Sequence, residues 1–342
     1  MQCSVSDDKI FFMIKKDFSF SYHLNEYFLI LSVLVTKLIK HMKVRRFKKG
    51  AVNHVYQRTI NRFNIFYDIA DYIVYFTIFC TFAKQADITV WGLCLMIDHI
   101  HCLIQCNEMM SMSDFVSRVT SVFVRRYNKC RKRAGPLFDD RFGSAPKADL
   151  KKLISSIIYV GNNPVERRIC TRAEEYRWNF LAYADSNHPF SEKIDFKNIS
   201  KSLSRSIRIV NSYLKRGLYL DYPVVDNIFT DLNRLEREQL IDYIICKYNV
   251  IDYKSILSHF DSYKQMLVSM RSTTGSEYDL HEDTDRLSDA VYVNLIREIR
   301  KMGIDDLRGV VCLGVDDKIR VAEIFQRNTG VSKYQIRKFL HL

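Results

Sequence analysis

The sequence predicts an α+β protein in which one antiparallel sheet carries helices on one face and a mostly helical region follows. Three observations favour this fold class. Between residues 50 and 165 the hydrophobic pattern changes in the order strand, helix, strand, strand, helix, helix. Two apolar runs, at 88–95 and 99–105, are close enough in sequence to form an antiparallel pair. Beyond residue 191 the apolar positions recur at helical spacing.

The chain length is suited to two folded domains. It has 342 residues, of which 47% are hydrophobic and 27% charged, as in ordinary globular proteins. We expect a sheet domain over 42–190 and a helical domain over 191–342, divided at the polar, proline-containing stretch 185–191. Residues 1–41 are interpreted as an N-terminal extension ahead of a natural start at Met42. The alternative is a short helix that packs on the core.

The charge balance favours a polyanionic partner. The formal net charge is +13, which points to nucleic acid before a membrane. The apolar run at 27–35 ends at Lys37, well short of the roughly 20 residues that a membrane span needs. The nine cysteines form no C-x-x-C pair, which argues against structural zinc and favours a reducing, cytoplasmic compartment. No glycine-rich phosphate loop is present in the sequence, so no nucleotide cofactor is expected.

The predicted elements follow one another in chain order. Residues 50–58 alternate between apolar and polar side chains and are expected to form the first strand. Residues 68–84 carry apolar side chains at helical spacing and form the first crossover helix. The strands at 88–95 and 99–105 then pair. Residues 112–133 are expected to form a long helix whose C-terminal half is dense in positive charge.

Two histidines stand in the last strand of that pair. His99 and His101 are separated by one residue, so in a strand both side chains lie on the same face. Two imidazoles at this spacing can chelate one divalent ion. A chance His-x-His pair is the alternative, because the chain has nine histidines. His54 is a tempting third ligand, although a histidine on a sheet face is more often structural.

A last helix of the sheet domain begins at Leu150 and is expected to end at Gly161 and Pro164. Tyr159 lies near its C-terminal end, and Asn163 follows four residues later. One further helical turn would place both on one side, where a hydroxyl nucleophile and an amide oxygen could meet the two histidines. The alternative is that Tyr159 is an ordinary half-buried residue, one of twenty tyrosines.

Four sequence blocks together resemble the HUH-type single-tyrosine transposases, and in particular the REP-associated branch of the IS200-like superfamily. They occur in the order and spacing of that family over about residues 43–184. The blocks are MIDHIH at 96–101, LFDDRF at 137–142, YVGNNPV at 159–165 and YRWN at 176–179. The chain has Ile97 and Asp98 where the family usually has Pro-Asn, and Gly161 where His or Tyr is more common.

The resemblance implies a ferredoxin-like layout with the histidines on a central strand and the tyrosine helix alongside. It also implies that Tyr159 attacks a DNA phosphate to form a 5′-phosphotyrosine, while His99, His101 and Asn163 bind Mg²⁺ or Mn²⁺. The predicted function is a single-strand DNA endonuclease and strand transferase acting on single-stranded or hairpin DNA, in a bacterial, nucleoid-associated protein that could form a homodimer. The alternatives are a catalytically silent DNA-binding regulator and a metal-dependent nuclease that uses water.

Basic residues between the histidines and the tyrosine are predicted to contact DNA phosphates. They are Arg125, Arg126, Lys129, Arg131, Lys132, Arg133 and Arg141. Residues 316–342 predict a helix-turn-helix, with a turn at 328–330 and Ser332 as the N-cap of the second helix. A plain αα-hairpin is the alternative. In the helix-turn-helix interpretation, the residues facing DNA are Ser332, Lys333, Tyr334, Arg337 and Lys338.

Overall fold

The computed structural model describes residues 46–342 except 140, 273–287, 305–306 and 308. The expectations for residues 1–41 and for a start at Met42 lie outside the described residues. Four strands form one antiparallel sheet in the order β2-β3-β1-β4. They are β1 (Val52–Arg58), β2 (Thr89–Leu95), β3 (His99–Gln105) and β4 (Gly143–Lys147). This is the ferredoxin-like order, so the predicted fold class is confirmed.

Helices cover both faces of the sheet. Helices α1 (Ile69–Gln85) and α2 (Met109–Cys130) pack against each other on one face, where the Tyr75 and Phe123 rings meet edge to face at 5.0 Å. Helix α3 (Leu150–Glu166) lies across the opposite face, which carries the histidines. The expectation of helices on one face therefore holds for α1 and α2 but not for α3. The sheet is thus enclosed on both sides.

Strand β4 was not predicted from the sequence, because its residues, GSAPK, show no apolar alternation. It pairs with β1 at the edge of the sheet, with Pro146 opposite Asn53 and Gly143 opposite Tyr56. An edge strand tolerates proline, which cannot donate to a ladder. A Cβ atom at Gly143 would lie 2.1 Å from the Tyr56 ring, so glycine is required for this close approach.

Helix α3 continues past the predicted stop. It runs through Gly161 and Pro164 to Glu166. Pro164 has no N–H to donate to the Val160 carbonyl four residues earlier, and the helix nevertheless continues. The neighbouring Gly161 carbonyl accepts from Asn179 Nδ2 at 3.0 Å. The prediction that Gly161 and Pro164 end the helix is therefore wrong. The continued turn matters for the site, because it places Asn163 one turn after Tyr159.

The region after the sheet is helical, as predicted. Helices α4 to α8 share a hydrophobic core with the sheet, and helices α9 to α12 form a second core together with Tyr67. We call α9 to α12 the C-terminal module. The predicted domain boundary at 185–191 stays a prediction. The helices are α4 (Lys201–Lys215), α5 (Tyr222–Phe229), α6 (Arg234–Tyr248), α7 (Tyr253–Leu257), α8 (Tyr263–Ser272), α9 (Val291–Lys301), α10 (Gly309–Cys312), α11 (Val315–Thr329) and α12 (Lys333–Leu340).

The last two helices are joined by a tight turn. Gly330 ends α11 with a φ of 64°, a left-handed conformation that glycine adopts without strain. Ser332 is the N-cap of α12, since its Oγ accepts from Gln335 N at 3.3 Å. The local geometry thus agrees with the predicted helix, turn and helix. Within the part of the chain described here, no helix combines the length and apolar character that a bilayer crossing requires.

Candidate active site

His99, His101 and Asn163 converge on one point between β3 and α3. His99 Nε2 lies 3.1 Å from Asn163 Oδ1, and His101 Nε2 lies 3.3 Å from Asn163 Nδ2. The side-chain amide of Asn163 therefore bridges the outer nitrogens of both imidazoles. The structure brings together the three residues that the sequence suggested as ligands.

Tyr159 lies beside the same point. It precedes Asn163 by one turn of α3, so both side chains share a helix face. The centroid of its ring is 5.6 Å from that of His101, with the rings nearly perpendicular, and 5.8 Å from that of His54. Tyr159 is 5% exposed and His101 is fully buried. The candidate nucleophile and the candidate ligands thus share one enclosed space.

His54 on β1 contacts the far side of His101. Its Nε2 lies 2.9 Å from His101 Nδ1, and both rings are fully buried. One of these two nitrogens carries the hydrogen that joins them, and when that nitrogen is His101 Nδ1, the Nε2 atom of His101 keeps its lone pair. Because His54 binds Nδ1, the Nε2 atom of His101 is the nitrogen that faces Asn163. His54 is therefore placed to orient a ligand rather than to act as one.

Asp98 performs the corresponding role for His99. Its Oδ1 lies 2.6 Å from His99 Nδ1, and its side chain is buried. Burial alone would raise the pKa of the Asp98 carboxyl, but His99, Lys338 and Arg167 beside it hold that pKa well below its usual range. An ionised carboxylate on one imidazole nitrogen leaves the other nitrogen facing the site. Sequence reasoning treated Asp98 only as a departure from a motif, although a charged residue within an apolar run signals a buried partner.

The donor set of two imidazole nitrogens and one amide oxygen is suited to a divalent ion without selecting which one. Two neutral imidazoles and one amide oxygen leave such an ion its full charge and leave positions for water and phosphate oxygens. The residues that would hold it are His99, His101 and Asn163. Across the described ranges, this site included, no group of three or more His, Cys, Asp or Glu side chains is arranged to hold a metal ion. The candidate site therefore depends on the Asn163 amide as its third ligand.

Some of the basic residues after β3 are exposed and others are partly or fully buried. Four of the residues predicted to contact DNA are solvent-exposed, namely Arg125, Lys129, Lys132 and Arg141. Arg126 is half-buried and donates to Tyr219 Oη at 2.8 Å, with Asp221 at 3.3 Å. Arg133 is half-buried and donates from Nη2 to the Pro136 carbonyl at 3.1 Å. The first four remain available to a nucleic acid.

Arg131 is not on the surface. The helix α2 ends at Cys130, one turn before the predicted end, and Arg131 turns inward. Its Nη2 lies 2.6 Å from both carboxylate oxygens of Asp71, and its guanidinium lies 4.4 Å from the centroid of the Tyr127 ring. Its side chain is fully buried, so this structure does not support the predicted phosphate contact. Its role here is a buried ion pair.

Helix α12 shows the same division. Ser332, Lys333, Tyr334 and Arg337 are exposed, as the helix-turn-helix prediction requires. Lys338 is buried, and its Nζ lies 2.8 Å from Asp98 Oδ2. Lys338 therefore does not face a DNA groove in this structure. It belongs to the surroundings of His99, a role that the sequence did not suggest.

Comparison with known proteins gives a match to one family model. Residues 48–161 match the family model described as "Transposase IS200 like". The match includes both histidines and Tyr159, and it confirms the resemblance over that segment. No curated protein gives a match. One similar solved structure is described as "Structure of the REP associates tyrosine transposase bound to a REP hairpin". It is 14% identical, with a TM-score of 0.38, and the alignment covers 46% of this chain and 95% of that chain.

Proposed function

We propose, from the premise that residues 48–161 are an IS200-like transposase domain, that this protein cuts and rejoins single-stranded DNA through a covalent link to Tyr159. The observation that supports this most directly is the convergence of His99, His101 and Asn163 beside the Tyr159 ring. A nucleophile and three ligand side chains then meet at one scissile phosphate.

The chemistry would proceed by displacement at phosphorus. The Tyr159 oxygen forms a bond to phosphorus while the bond from phosphorus to the 3′ oxygen breaks. The phenolic proton is lost, and the departing oxygen gains a proton to become a 3′-hydroxyl. The 5′ phosphate stays on the tyrosine, so the phosphodiester energy is conserved. A phenolate leaves more readily than an alkoxide, so the reverse step can reseal strands without a nucleotide cofactor.

His99, His101 and Asn163 would hold Mg²⁺ or Mn²⁺. When bound, such an ion polarises the scissile phosphate and offsets the charge of the transition state. Asp98 and His54 would hold the two imidazoles in the tautomers that present Nε2. The enclosed setting strengthens these electrostatic contacts, because water is largely excluded from it.

The proposed partner is single-stranded or hairpin DNA in a bacterial cytoplasm, associated with the nucleoid. The exposed basic residues of two segments would contact its phosphates. They are Arg125, Lys129, Lys132 and Arg141 after β3, and Lys333 and Arg337 in α12. A homodimer and a helix-turn-helix use of α11 and α12 belong to the same proposal.

The test is a covalent adduct. The purified chain is incubated with 3′-labelled single-stranded hairpin DNA and Mn²⁺, and the products are resolved on a denaturing gel. We expect a slow protein–DNA band that disappears in Tyr159→Phe, because phenylalanine has no attacking oxygen. Tyr213→Phe in α4 is the matched control and should retain the band. Cleavage that persists in Tyr159→Phe would instead indicate a nuclease that uses water.

A second candidate function is that of a catalytically silent DNA-binding regulator. The observation that favours it is the closure of the site, since His54, His101, Tyr159 and Asn163 are each at most 5% exposed. The side chains of His54, His99, His101 and Asn163 also satisfy one another without an ion. This candidate predicts hairpin binding without an adduct and without any dependence on Mn²⁺. Such a result with the wild-type chain would overturn the strand-transfer proposal.

A further inference from the structure

The C-terminal module reaches the candidate active site through one side chain. Lys338 Nζ lies 2.8 Å from Asp98 Oδ2, across 240 positions of sequence. The two side chains are 2% and 4% exposed, so water does not screen the pair. The other oxygen of the same carboxylate holds His99 Nδ1 at 2.6 Å. One aspartate therefore links a helix of the module to a candidate metal ligand.

Asp98 is held from several directions. Its carbonyl oxygen accepts from Thr59 N and from Thr59 Oγ1, both at 3.0 Å, which fixes the backbone at the start of β3. The carboxylate itself is held by Lys338, with Arg167 Nη2 at 3.9 Å from the same oxygen. A buried carboxylate needs such cations, because leaving one unpaired is costly. Lys338 is the nearer cation and so sets the direction of the carboxylate.

Helix α12 is docked firmly enough to hold that lysine in place. The Lys338 carbonyl accepts from Asn64 N at 3.1 Å, and Tyr67 Oη donates to the Phe339 carbonyl. At the other end of the module, Asp289 forms a two-point pair with Arg167 at 2.8 and 3.0 Å. Arg167 directly follows α3, the helix of Tyr159 and Asn163. The module is thus attached on both sides of the site.

The three departures from the family pattern are all points of contact with the later helices. Ile97 packs against the second hydrophobic core, and Asp98 pairs with Lys338. A Cβ atom at Gly161 would lie 2.7 Å from Met270 Cε of α8, the far end of a flexible side chain. These positions therefore lie against the helical region that follows the transposase-like segment.

We propose that Lys338 is a positioning residue of the metal site: it aims the Asp98 carboxylate at His99 Nδ1, so that His99 presents Nε2 to the ion beside Asn163. This inference rests on the proposed metal-dependent function, and it gives a residue of α12 a part in that function. Carboxylates that bind the outer nitrogen of a ligating histidine fix its tautomer and orientation, and their loss typically weakens metal binding about 10- to 100-fold. Lys338 acts one step further out, through Asp98.

The test measures Mn²⁺ affinity directly, by calorimetric titration of the full chain without DNA. Lys338→Met is expected to raise the dissociation constant about 10-fold or more, and Lys338→Arg is expected to restore part of the loss because it returns the positive charge. Lys301→Met is the matched control. Lys301 is an exposed lysine of the same module that pairs with Glu298 at 2.6 Å, and its loss should leave the affinity unchanged.

Folding is checked by circular dichroism in each variant. If Lys338→Met does not fold, Lys338→Gln is used, since it keeps a hydrogen-bond donor and loses only the charge. A folded variant that lacks the charge and binds Mn²⁺ as tightly as wild type would overturn the inference. A wild-type chain that binds Mn²⁺ and forms no DNA adduct would overturn strand transfer but leave the Lys338 effect measurable. The two failures are therefore distinguishable.

Discussion

Arg131 and Lys338 come from two basic segments that look alike in sequence, and each forms a buried pair with an aspartate. Arg131 binds Asp71, whose other contacts are the N-terminal turn of α1 and the hydroxyl of Tyr222. Lys338 binds Asp98, which also holds His99. The first aspartate is connected only to scaffold, whereas the second is connected to a candidate ligand. The two ion pairs therefore differ in what else the aspartate contacts. A pair whose aspartate contacts only its own helix and a hydroxyl is expected to stabilise the fold, whereas a pair whose aspartate contacts a candidate ligand is expected to position that ligand.

Removing Arg131 should have the largest effect on stability. Arg131→Met leaves Asp71 fully buried without its cation, and breaking one side of a buried pair costs about 3–5 kcal/mol. We expect the free energy of unfolding, measured by urea titration, to fall by that amount while Mn²⁺ affinity of the folded fraction stays unchanged. Lys132→Met, at the exposed neighbouring position, is the control and should shift stability by less than about 0.5 kcal/mol. If Arg131→Met lowers the free energy of unfolding by less than about 1 kcal/mol, the Arg131–Asp71 pair is not the stabilising pair that the comparison with Lys338–Asp98 requires.

For the ion pair of Lys338 and Asp98, we expect the energetic coupling between the two residues to appear in Mn²⁺ affinity rather than in stability. Asn at position 98 can accept from His99 Nδ1 without a cation, so Asp98→Asn should make Lys338 dispensable. We expect Lys338→Met to weaken Mn²⁺ binding about 10-fold in the wild-type chain and to have little further effect in Asp98→Asn, a coupling of about 1.4 kcal/mol. Additive effects of the two substitutions in this cycle would show that Lys338 does not act through Asp98.

Mild acid should lower the free energy of unfolding through His341, which lies three residues after Lys338. His341 follows α12, stacks on Phe63 at 4.5 Å and donates from Nε2 to the Asn64 carbonyl at 2.6 Å. Burial lowers the pKa of His341 from 6.5 to about 3, with a smaller lowering from the nearby cations Arg133 and Lys318. Because the unfolded chain takes up the proton first, stability is retained above pH 6.5 and falls as pH drops below it.

The contribution of His341 to this loss between pH 7 and pH 5.5 is about 1 kcal/mol, measured by urea unfolding as the difference between the wild-type chain and His341→Gln. His341→Gln removes the titrating group and should flatten this part of the profile, while Arg131 and Asp71 stay as they are. An equally steep acid dependence in His341→Gln would assign the loss to another group.

The exposed basic residues should give the smallest effects, and these should appear in DNA binding alone. Lys129→Ala after β3 and Lys333→Ala in α12 each remove one proposed phosphate contact. We expect a few-fold weaker hairpin binding and a salt dependence reduced by about 0.7–0.9 in slope for each substitution. Stability and Mn²⁺ affinity should not change. An unaltered salt slope for both variants would exclude these two surfaces from the DNA interface.

Local patterns explain what the sequence could predict. The spacing of His99 and His101 fixes a shared strand face, and the i, i+4 spacing of Tyr159 and Asn163 fixes a shared helix face. Neither depends on distant parts of the chain. Strand β4 was missed because its five residues carry no periodic apolar signal and form a strand only through pairing with β1. The end of α3 was misplaced because glycine and proline weaken a helix locally, whereas this turn is buried and contacts later parts of the chain.

The burial of Arg131 and Lys338 could not be predicted either, because it also depends on distant parts of the chain. A basic residue in an amphipathic helix is ordinarily solvated, and only the position of a distant aspartate decides otherwise. Arg131 meets Asp71 across 60 positions, and Lys338 meets Asp98 across 240. The charged side chains of Asp71 and Asp98 within apolar surroundings signalled that partners exist, but not which cations supply them.

Lys338 lies outside the four sequence blocks, and this has a consequence for how truncated copies of such a gene would be interpreted. A nonsense or frameshift mutation after residue 200 would leave the histidines, the tyrosine and all four blocks intact, yet delete the lysine that we propose positions His99. If that proposal holds, a count of intact blocks alone would not separate such a copy from a full-length one.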